Sequence, residues 1–198
     1  MGAVSAAITV SLDGYVAAPG DAPGRGLGEG GERLHSWVFG GPWRYEDAVR
    51  GEPHGEDARW LAQAGARTGA VICGRWTYEA ARHWGGRNPA GKPFFVLTHR
   101  PAEQPHGGEF NFVCGLEEAL ARAREAAGGD DVHIMGGADT IRQALAADVV
   151  EQLTLIVAPL LLGAGKRLFE GFTRSLELEQ LGARQSRFAT FLEYRVRR

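Results

Sequence analysis

The sequence predicts an α/β fold in which helices cover both faces of a mostly parallel sheet. Short apolar runs typical of buried strands alternate with helical patterns along most of the chain. Near the end of the chain, alternating apolar and polar residues are typical of an antiparallel hairpin at a sheet edge. The length of 198 residues suits one domain with a sizeable core, over residues 1–198.

The strands of this sheet are predicted from apolar runs that end at glycine, proline or polar residues. The predicted buried strands are Ala3 to Val10, Gly69 to Cys73, Lys92 to Thr98, Phe110 to Val113, Asp131 to Met135 and Glu151 to Val157. The hairpin is predicted from Ser175 to Gln180 and from Thr190 to Arg197, where leucine, tyrosine and valine alternate with polar residues.

Helices are predicted between the strands from apolar residues spaced three or four apart, because that spacing puts them on one face. The first is Glu56 to Ala66, and a second ends near Gly128 and Gly129. A third helical pattern starts directly after a strand. The residues that mark the three faces are Ala58, Leu61, Ala62 and Gly65; Leu116, Leu120 and Ala123; and Ile141 and Leu145.

The main functional signal lies in the stretch from Asp131 to Ile141. Its apolar run ends at Gly136 and Gly137, and a helical pattern begins at once. Backbone N–H groups at the positive end of a helix bind phosphate, and glycine permits an approach that a Cβ would block. A tight strand–helix turn without a ligand would show the same pattern.

A second strand–glycine–helix junction favours the phosphate interpretation. The strand that ends at Cys73 is followed by Gly74, then by Arg75 and Thr77. An arginine and a threonine at such a position can both donate hydrogen bonds to an anion. Two junctions of this kind at the same edge of a sheet predict one phosphate-containing ligand.

A glycine- and tryptophan-rich loop is predicted over about residues 17–55. Gly26 to Gly31 matches the GxGxxG pattern but does not lie directly between a strand and a helix, so a dinucleotide fingerprint is rejected there. A loop beside a site is favoured instead. Trp37, Phe39 and Trp43 form either a satellite core or an apolar wall for a flat ligand, and the scarcity of regular structure favours the wall.

Composition and charge limit the class of protein. The net charge of −2 requires no nucleic-acid or acidic-membrane partner. The chain lacks a run of about 18 apolar residues and a basic leader, so we expect a cytoplasmic protein that spans no membrane. Cys73 and Cys114 are expected to be small core residues. The six histidines lack HExxH or paired metal-ligand spacing, so no metal site is predicted.

Five short motifs run along nearly the whole chain. They are Ser11-Leu12-Asp13-Gly14, Gly74-Arg75-x-Thr77-x-Glu79, Val96-Leu97-Thr98, Met135-Gly136-Gly137 and Pro159-Leu160-Leu161-Leu162-Gly163-x-Gly165 with Leu168-Phe169. In this order they resemble the motifs of the dihydrofolate reductase superfamily. More closely, the chain resembles the reductase domain of the bifunctional riboflavin-biosynthesis deaminase–reductase and its stand-alone bacterial relatives.

The resemblance implies a three-layer α/β/α fold that binds NADPH across the carboxyl ends of the strands. The residues that it implies for the pyrophosphate and other cofactor phosphates are Gly136 and Gly137, with Ala138 and Thr140 after them, and Gly74, Arg75 and Thr77. It also implies that Thr98, His99 and Arg100 lie near the adenosine ribose. The 2′-phosphate adds about two negative charges, so Arg75 and Arg100 favour NADPH over NADH.

The implied reaction is reduction of a small heterocycle, pterin-like or riboflavin-precursor-like, by hydride transfer. Asp13 is the first candidate for orienting the substrate, although Asp-Gly is also an ordinary turn sequence. Trp37, Trp43 and Trp76 are candidates for stacking on the substrate or cofactor ring. A nucleotide-binding protein without catalysis and an interaction protein on the same fold remain alternatives. A homodimer is expected from the resemblance and from the edge hairpin.

Overall fold

The computed structural model describes residues 2–104 and 108–197, and its strands follow the predicted order. The strands are Val4–Ser11 (β1), Tyr15–Ala17 (β2), Thr68–Gly74 (β3), Phe94–Leu97 (β4), Asn111–Val113 (β5), Asp131–Gly136 (β6), Gln152–Ala158 (β7), Lys166–Arg167 (β8), Leu178–Gln185 (β9) and Thr190–Val196 (β10). Each predicted buried strand is present, and its ends lie within two residues of the predicted ones.

The helices occupy the predicted intervals between strands. They are Gly55–Arg67 (α1), Arg75–Ala80 (α2), Leu116–Ala127 (α3) and Ala138–Ala146 (α4), with 3₁₀ turns at Gly31–His35 and Arg82–Gly86. α1 ends where the Thr68 hydroxyl donates to the carbonyl of Ala64 at 2.8 Å. None of the helices in the described ranges combines the length and the apolar composition that a membrane crossing requires.

Eight strands form one sheet in the order β5-β4-β3-β6-β1-β7-β10-β9. The six strands from β5 to β7 in this order are parallel to their neighbours. β10 runs antiparallel to both β7 and β9. The predicted fold class is therefore confirmed, including the antiparallel hairpin at one edge.

Successive strand residues pack on opposite faces of the sheet, as strand geometry requires. In β3, Ile72 packs with residues of α3 and α4 on one face, whereas Val71 packs with Tyr78 of α2 on the other. In β1, Ala6 and Ala7 divide between the two faces in the same way. Helices and the sheet thus form three layers.

The helix α4 shows how this packing stabilises the site. Ile141 and Leu145, one turn apart, are 0% and 2% exposed against the sheet. Complete burial of each such side chain contributes about 1.5–3 kcal/mol. The helix is therefore anchored by its apolar face, and its first turn is held at the end of β6.

Two sequence predictions need correction, and one short pair of strands was missed. Cys114 is exposed, not buried, because it lies one residue beyond β5 where the chain leaves the sheet; Cys73 is buried as predicted. The hairpin strand predicted at residues 175–180 spans residues 178–185 instead. Edge strand β9 faces solvent, so no core pattern marks its ends. The antiparallel pair β2–β8 was not predicted, since β8 has only two residues.

Candidate functional site

A cleft of about 1450 Å³ lies along the carboxyl ends of the parallel strands, the position at which open α/β sheets bind ligands. Residues that follow β3, β4 and β6 form its floor, and part of the segment 35–50 forms a wall. The predicted site residues that line it are Trp37, Trp43, Gly74, Arg75, Trp76, Thr77, Thr98, His99, Arg100, Gly137, Ala138 and Thr140. Gly136 is buried beside Gly137, and Asp13 lies outside the cleft lining.

The two strand–glycine–helix junctions converge on the cleft floor. β3 and β6 are adjacent and parallel, and Cys73 pairs with Gly136, so the two strands end at the same level. α2 begins directly after Gly74, and α4 begins directly after Gly137. The first turns of both helices are therefore brought together by neighbouring strands.

The first junction excludes a side chain on steric grounds, and the second leaves little room for one. A Cβ at Gly74 would lie 2.5 Å from the Thr140 hydroxyl oxygen and 3.8 Å from the Gly137 nitrogen. A Cβ at Gly137 would lie 3.0 Å from the Thr77 hydroxyl oxygen. Bare backbone and two hydroxyl groups therefore share one small space at the start of both helices. Groups of this kind donate hydrogen bonds to phosphate oxygens.

The end of β4 extends this floor on the side away from β6. Thr98 is buried, and its hydroxyl accepts a hydrogen bond from the Arg100 N–H at 3.0 Å. His99 and Arg100 are exposed and border the cleft. The three residues predicted beside the adenosine ribose therefore lie at one edge of the same cleft.

Two carboxylates pair with the two arginines predicted on the cofactor side. Arg75 donates to Glu79 at 2.7 Å and to Glu103 at 3.1 Å. Arg100 lies 3.0 Å from Glu103 and 3.5 Å from Glu79. We call these four residues the arginine–glutamate cluster. Its formal charge is zero, since it contains two arginines and two glutamates.

Trp37 lies in the core and presents only part of its ring to the cleft. It is 4% exposed, its indole N–H donates to the Thr9 hydroxyl at 3.0 Å, and its ring packs edge-on against Trp60 and Phe191. These contacts favour the core interpretation, which the sequence left as the weaker alternative. The scarcity of regular structure around Trp37 was misleading because its packing partners come from distant segments.

An aromatic wall, formed by Phe39, Trp43 and Tyr45, borders the cleft beside Trp37. The Trp43 ring centroid lies 4.4 Å from that of Phe39 and 4.7 Å from that of Tyr45. The Arg50 guanidinium covers Trp43 at 4.9 Å from its centroid. The Tyr45 hydroxyl accepts from the Leu27 N–H at 2.8 Å, which joins this wall to the glycine-rich loop.

Trp76 lies at the rim of the cleft and is 46% exposed. Its indole N–H donates to Asp21 at 2.9 Å, and Lys166 pairs with the same carboxylate at 2.7 Å. The Lys166 ammonium also lies 4.5 Å from the centre of the Trp76 ring. Asp21 thus fastens the glycine-rich loop to both α2 and β8.

Asp13 holds a neighbouring loop, and this geometry favours the turn-residue interpretation over a catalytic one. Its carboxylate accepts from the Ser11 hydroxyl at 2.6 Å and from the Leu162 and Gly163 N–H groups at 3.1 and 2.7 Å. The Ser11 hydroxyl, with these N–H groups, lowers the pKa of Asp13 to about 2 against the opposing effect of desolvation. The carboxyl group is therefore ionised at neutral pH.

Two histidines border the cleft in their neutral form. Burial lowers the pKa of both His35 and His133 to about 4. The His133 Nδ1 forms a hydrogen bond with the Ser5 hydroxyl at 3.2 Å, as expected for a core histidine. Within residues 2–104 and 108–197, the acidic, cysteine and histidine side chains form no group of three that could hold a metal ion.

Comparison with known proteins identifies the family. The model of a family described as the RibD C-terminal domain matches residues 3–188. The chain belongs to this family.

Relatives of this chain include proteins named as reductases. Dihydrofolate reductase type 8 of Escherichia coli is 28% identical over 134 residues, which cover 63% of this chain and 72% of that protein. The uncharacterized protein YwjB of Bacillus subtilis (strain 168) is 27% identical over 125 residues, which cover 63% of this chain and 71% of YwjB. Membership in the family, with the reductase among these relatives, supports an oxidoreductase.

Solved structures share the fold over nearly the whole chain. A protein assigned to riboflavin biosynthesis from Shewanella sp. PV-4 has a TM-score of 0.71 at 24% identity, and 99% of each chain is covered. A pyrimidine reductase-like protein from Corynebacterium diphtheriae has a TM-score of 0.64 at 17% identity, covering 100% of this chain and 92% of that one. Dihydrofolate reductase from Enterococcus faecalis, complexed with NADP(H), has a TM-score of 0.62 at 16% identity, covering 100% and 98%.

The ion pairs of the arginine–glutamate cluster were not predicted from the sequence, although Glu79 is part of the motif that follows β3. The spacing of four residues between Arg75 and Glu79 on a helix could have predicted their ion pair. Glu103 follows no pattern that predicts its contacts, because its partner Arg75 lies 28 residues away. Asp21 was missed for the same reason, since its partners Trp76 and Lys166 lie 55 and 145 residues away. Arg50 was missed because it contacts Phe39 and Trp43 within a segment of little regular structure.

Proposed function

We propose that the protein is an NADPH-dependent reductase that transfers a hydride to a small heterocyclic substrate, pterin-like or riboflavin-precursor-like. The observation that carries this proposal is the convergence of the two glycine junctions on the cleft floor. The approach of Gly74 to Thr140, at 2.5 Å for a hypothetical Cβ, leaves room for backbone donors but for no side chain. Such a floor suits the pyrophosphate of a dinucleotide.

Sheet order and charge favour one direction for the cofactor across this floor. β3 and β6 lie between β4 on one side and β1 on the other. Arg75 and Arg100 lie on the β4 side, where they suit the adenosine ribose and its 2′-phosphate. The apolar part of the cleft over β1 and β7, with Trp37 and Ile156, suits the nicotinamide and the substrate.

The protein contributes to hydride transfer by positioning the nicotinamide against the substrate and by excluding water. The nicotinamide, when bound, supplies the hydride. The aromatic wall offers the half-buried Phe39 as an apolar surface against which a flat ring can lie, with the buried Trp43 packed against it. Asp21 fastens the glycine-rich loop to Trp76 at the rim of the cleft. Holding the reacting carbons together in such a site accounts for much of the rate of such reactions.

Calorimetric titration with NADPH and NADH tests the binding half of the proposal. We expect heat of binding with NADPH and weaker binding of NADH. Quenching of tryptophan fluorescence supplies an independent signal, because Trp37, Trp43 and Trp76 all border the cleft. Absence of a signal with either cofactor would overturn the proposal and favour an interaction protein on the same fold.

The catalytic half is tested by the loss of reduced-nicotinamide absorbance in the presence of candidate substrates. Dihydropterins and the riboflavin-pathway precursor are the two classes to compare. Turnover of one class and not the other would assign the substrate. Binding of NADPH without oxidation by either class would favour the alternative, a nucleotide-binding protein without catalysis.

A homodimer also remains a proposal, carried by the hairpin. β9 is an edge strand that pairs with β10 alone. Leu178 and Leu181 on it are 42% and 44% exposed. An edge strand of this length with exposed leucines is suited to pair with a second copy. Light scattering that gives the mass of one chain would contradict this proposal.

A further inference from the structure

The arginine–glutamate cluster is closed, because each arginine already has a carboxylate partner. Glu103 bridges the two cations, at 3.1 Å from Arg75 and 3.0 Å from Arg100. Glu79 completes the set at 2.7 Å from Arg75. An anion that binds between the arginines therefore competes with a carboxylate of the protein itself.

Charge balance shows what the cluster requires of such a ligand. Two arginines and two glutamates sum to zero, whereas a 2′-phosphate carries about two negative charges. Addition of the phosphate to the closed cluster would give it a net charge of about −2. Departure of one carboxylate reduces this repulsion and frees the donors of both arginines for the phosphate oxygens.

The two glutamates differ in their ability to leave. Glu79 lies one turn from Arg75 on α2, and its side chain is 18% exposed. The Glu103 side chain is 53% exposed and lies beyond β4, outside regular structure. Rotation into solvent therefore costs Glu103 little, since an exposed ion pair contributes only about 0–1 kcal/mol.

Arg75 keeps its position when the Glu103 side chain moves. Its guanidinium also donates to the backbone carbonyls of Arg100 and Glu103, at 3.3 and 3.0 Å, and it lies 5.7 Å from the centre of the Phe112 ring. With Glu79 these contacts keep the side chain only 12% exposed. The cation is thus oriented in advance, and only the Glu103 carboxylate has to be replaced.

We propose that Glu103 is a specificity-determining residue whose carboxylate occupies the place of the cofactor 2′-phosphate between Arg75 and Arg100. It keeps the two cations paired when the site is empty and leaves when NADPH binds. This inference rests on the proposed binding of NADPH in the cleft. NADPH therefore has to displace the Glu103 carboxylate when it binds. NADH does not, because it has no group that reaches between the arginines.

Substitution Glu103→Gln tests this assignment through the ratio of two dissociation constants. We expect the Kd for NADPH to fall by about three- to tenfold, the equivalent of one or two weak ion pairs, with little change for NADH. The NADPH-to-NADH preference should therefore increase by about the same factor. The added preference should shrink at high ionic strength, because it arises from partly exposed charges.

Glu117→Gln is the matched control. Glu117 is an exposed carboxylate in the first turn of α3, and it has no ion pair among the described residues. Its substitution removes the same charge without touching the cluster, so it measures the effect of net charge alone. Equal tightening of NADPH binding by both variants would overturn the proposal.

The outcomes separate this inference from the proposed function. If wild-type protein binds NADPH and Glu103→Gln leaves the preference over NADH unchanged, only the role of Glu103 is overturned. If the wild-type protein binds neither cofactor, both proposals are wrong. Urea denaturation of each variant verifies that a changed Kd does not come from partial unfolding.

Discussion

The floor and the aromatic wall of the cleft are built in different ways. The floor consists of strand ends and helix starts, and its key approach, Gly74 to Thr140, is fixed by the pairing of β3 with β6. The wall comes from a segment with little regular structure, in which Trp43 packs against Phe39 and Tyr45. The floor suits a ligand part that every cofactor of the class shares, whereas the wall suits a part that differs between substrates.

This difference predicts different responses to substitution. A change in the floor disturbs the neighbouring strand–helix junction, because two junctions meet within one side chain's length. A change in the aromatic wall alters local packing and leaves the sheet intact. Trp37 is the test of where one region ends and the other begins, since it borders the cleft but packs on β1 and β10.

Trp37→Ala is expected to have the largest effect on stability. Loss of the ring removes its contacts with Trp60 and Phe191 and leaves a cavity, and such truncations cost about 3–5 kcal/mol. Chemical denaturation measures this change in the free energy of unfolding. Trp76→Ala is the matched control, because Trp76 is 46% exposed and its loss should cost about 1 kcal/mol or less.

A contrary result would move Trp37 out of the core. If Trp37→Ala keeps wild-type stability and only weakens ligand binding, the ring belongs to the wall, as the sequence alone suggested. The boundary between the floor and the aromatic wall would then lie at β1 and not at the segment that holds the wall.

Gly74→Ala is expected to have the next largest effect and to disturb the floor. The new methyl group would lie 2.5 Å from the Thr140 hydroxyl, and forced overpacking of this kind costs about 1–3 kcal/mol. Displacement of α4 should also weaken binding of both NADPH and NADH. The double variant Gly74→Ala/Thr140→Ala removes the obstructing hydroxyl and should recover part of the lost stability.

Gly65→Ala provides the control for the same chemical change. Gly65 lies in α1 with no atom near the position of its added methyl group, so this variant should be stabilised by about 0.5–1 kcal/mol. Opposite signs at Gly65 and Gly74 would support the steric account. A stability gain at Gly74 would show that the two junctions are not in close contact.

The remaining expected effect is a graded loss of stability in mild acid, which builds up over several pH units. His35 and His133 take up a proton in the unfolded chain near pH 6.5, but in the folded protein only near pH 4. Between these values the unfolded state binds more protons, so stability falls as the pH is lowered, by at most about 1.4 kcal/mol per pH unit for each histidine. Denaturation midpoints from pH 7 to about pH 4 measure this slope.

Replacing the histidines one at a time shows whether the fall in stability with pH comes from the floor or from the side of the aromatic wall. His133 lies in β6 under the floor, and His35 lies at the end of a 3₁₀ turn before the aromatic segment. His133→Gln and His35→Gln should each reduce the slope. A slope that neither variant alters would place the acid sensitivity elsewhere in the protein.

The floor could be predicted from the sequence because its causes are local. Apolar runs, the two glycine junctions and the apolar spacing in α4 each appear within a short stretch, and together they fixed the parallel sheet and its carboxyl edge. Edge strand β9 was misplaced by several residues, since strand ends without a buried face carry little signal. The short pair β2–β8 has too few residues to be read from a pattern.

The rest of the candidate site could not be predicted because it depends on contacts between distant residues. Glu103 meets Arg75 across 28 positions, and Asp21 meets Trp76 across 55. Asp13 was a candidate both for orienting the substrate and for a turn, and the contacts that favour the turn are with N–H groups about 150 positions away. Residue type and sequence spacing carry no information on such pairings.

The exposure of Cys114 has a practical consequence for following this protein in solution. Cys73 is buried, and its burial raises the pKa of its thiol, so a maleimide dye at neutral pH should react with Cys114 alone. Cys114 immediately precedes Gly115, which borders the cleft. Cys114 thus offers a reactive thiol for a fluorophore at the mouth of the cleft. The emission of that dye can report ligand binding in the cleft without an engineered cysteine.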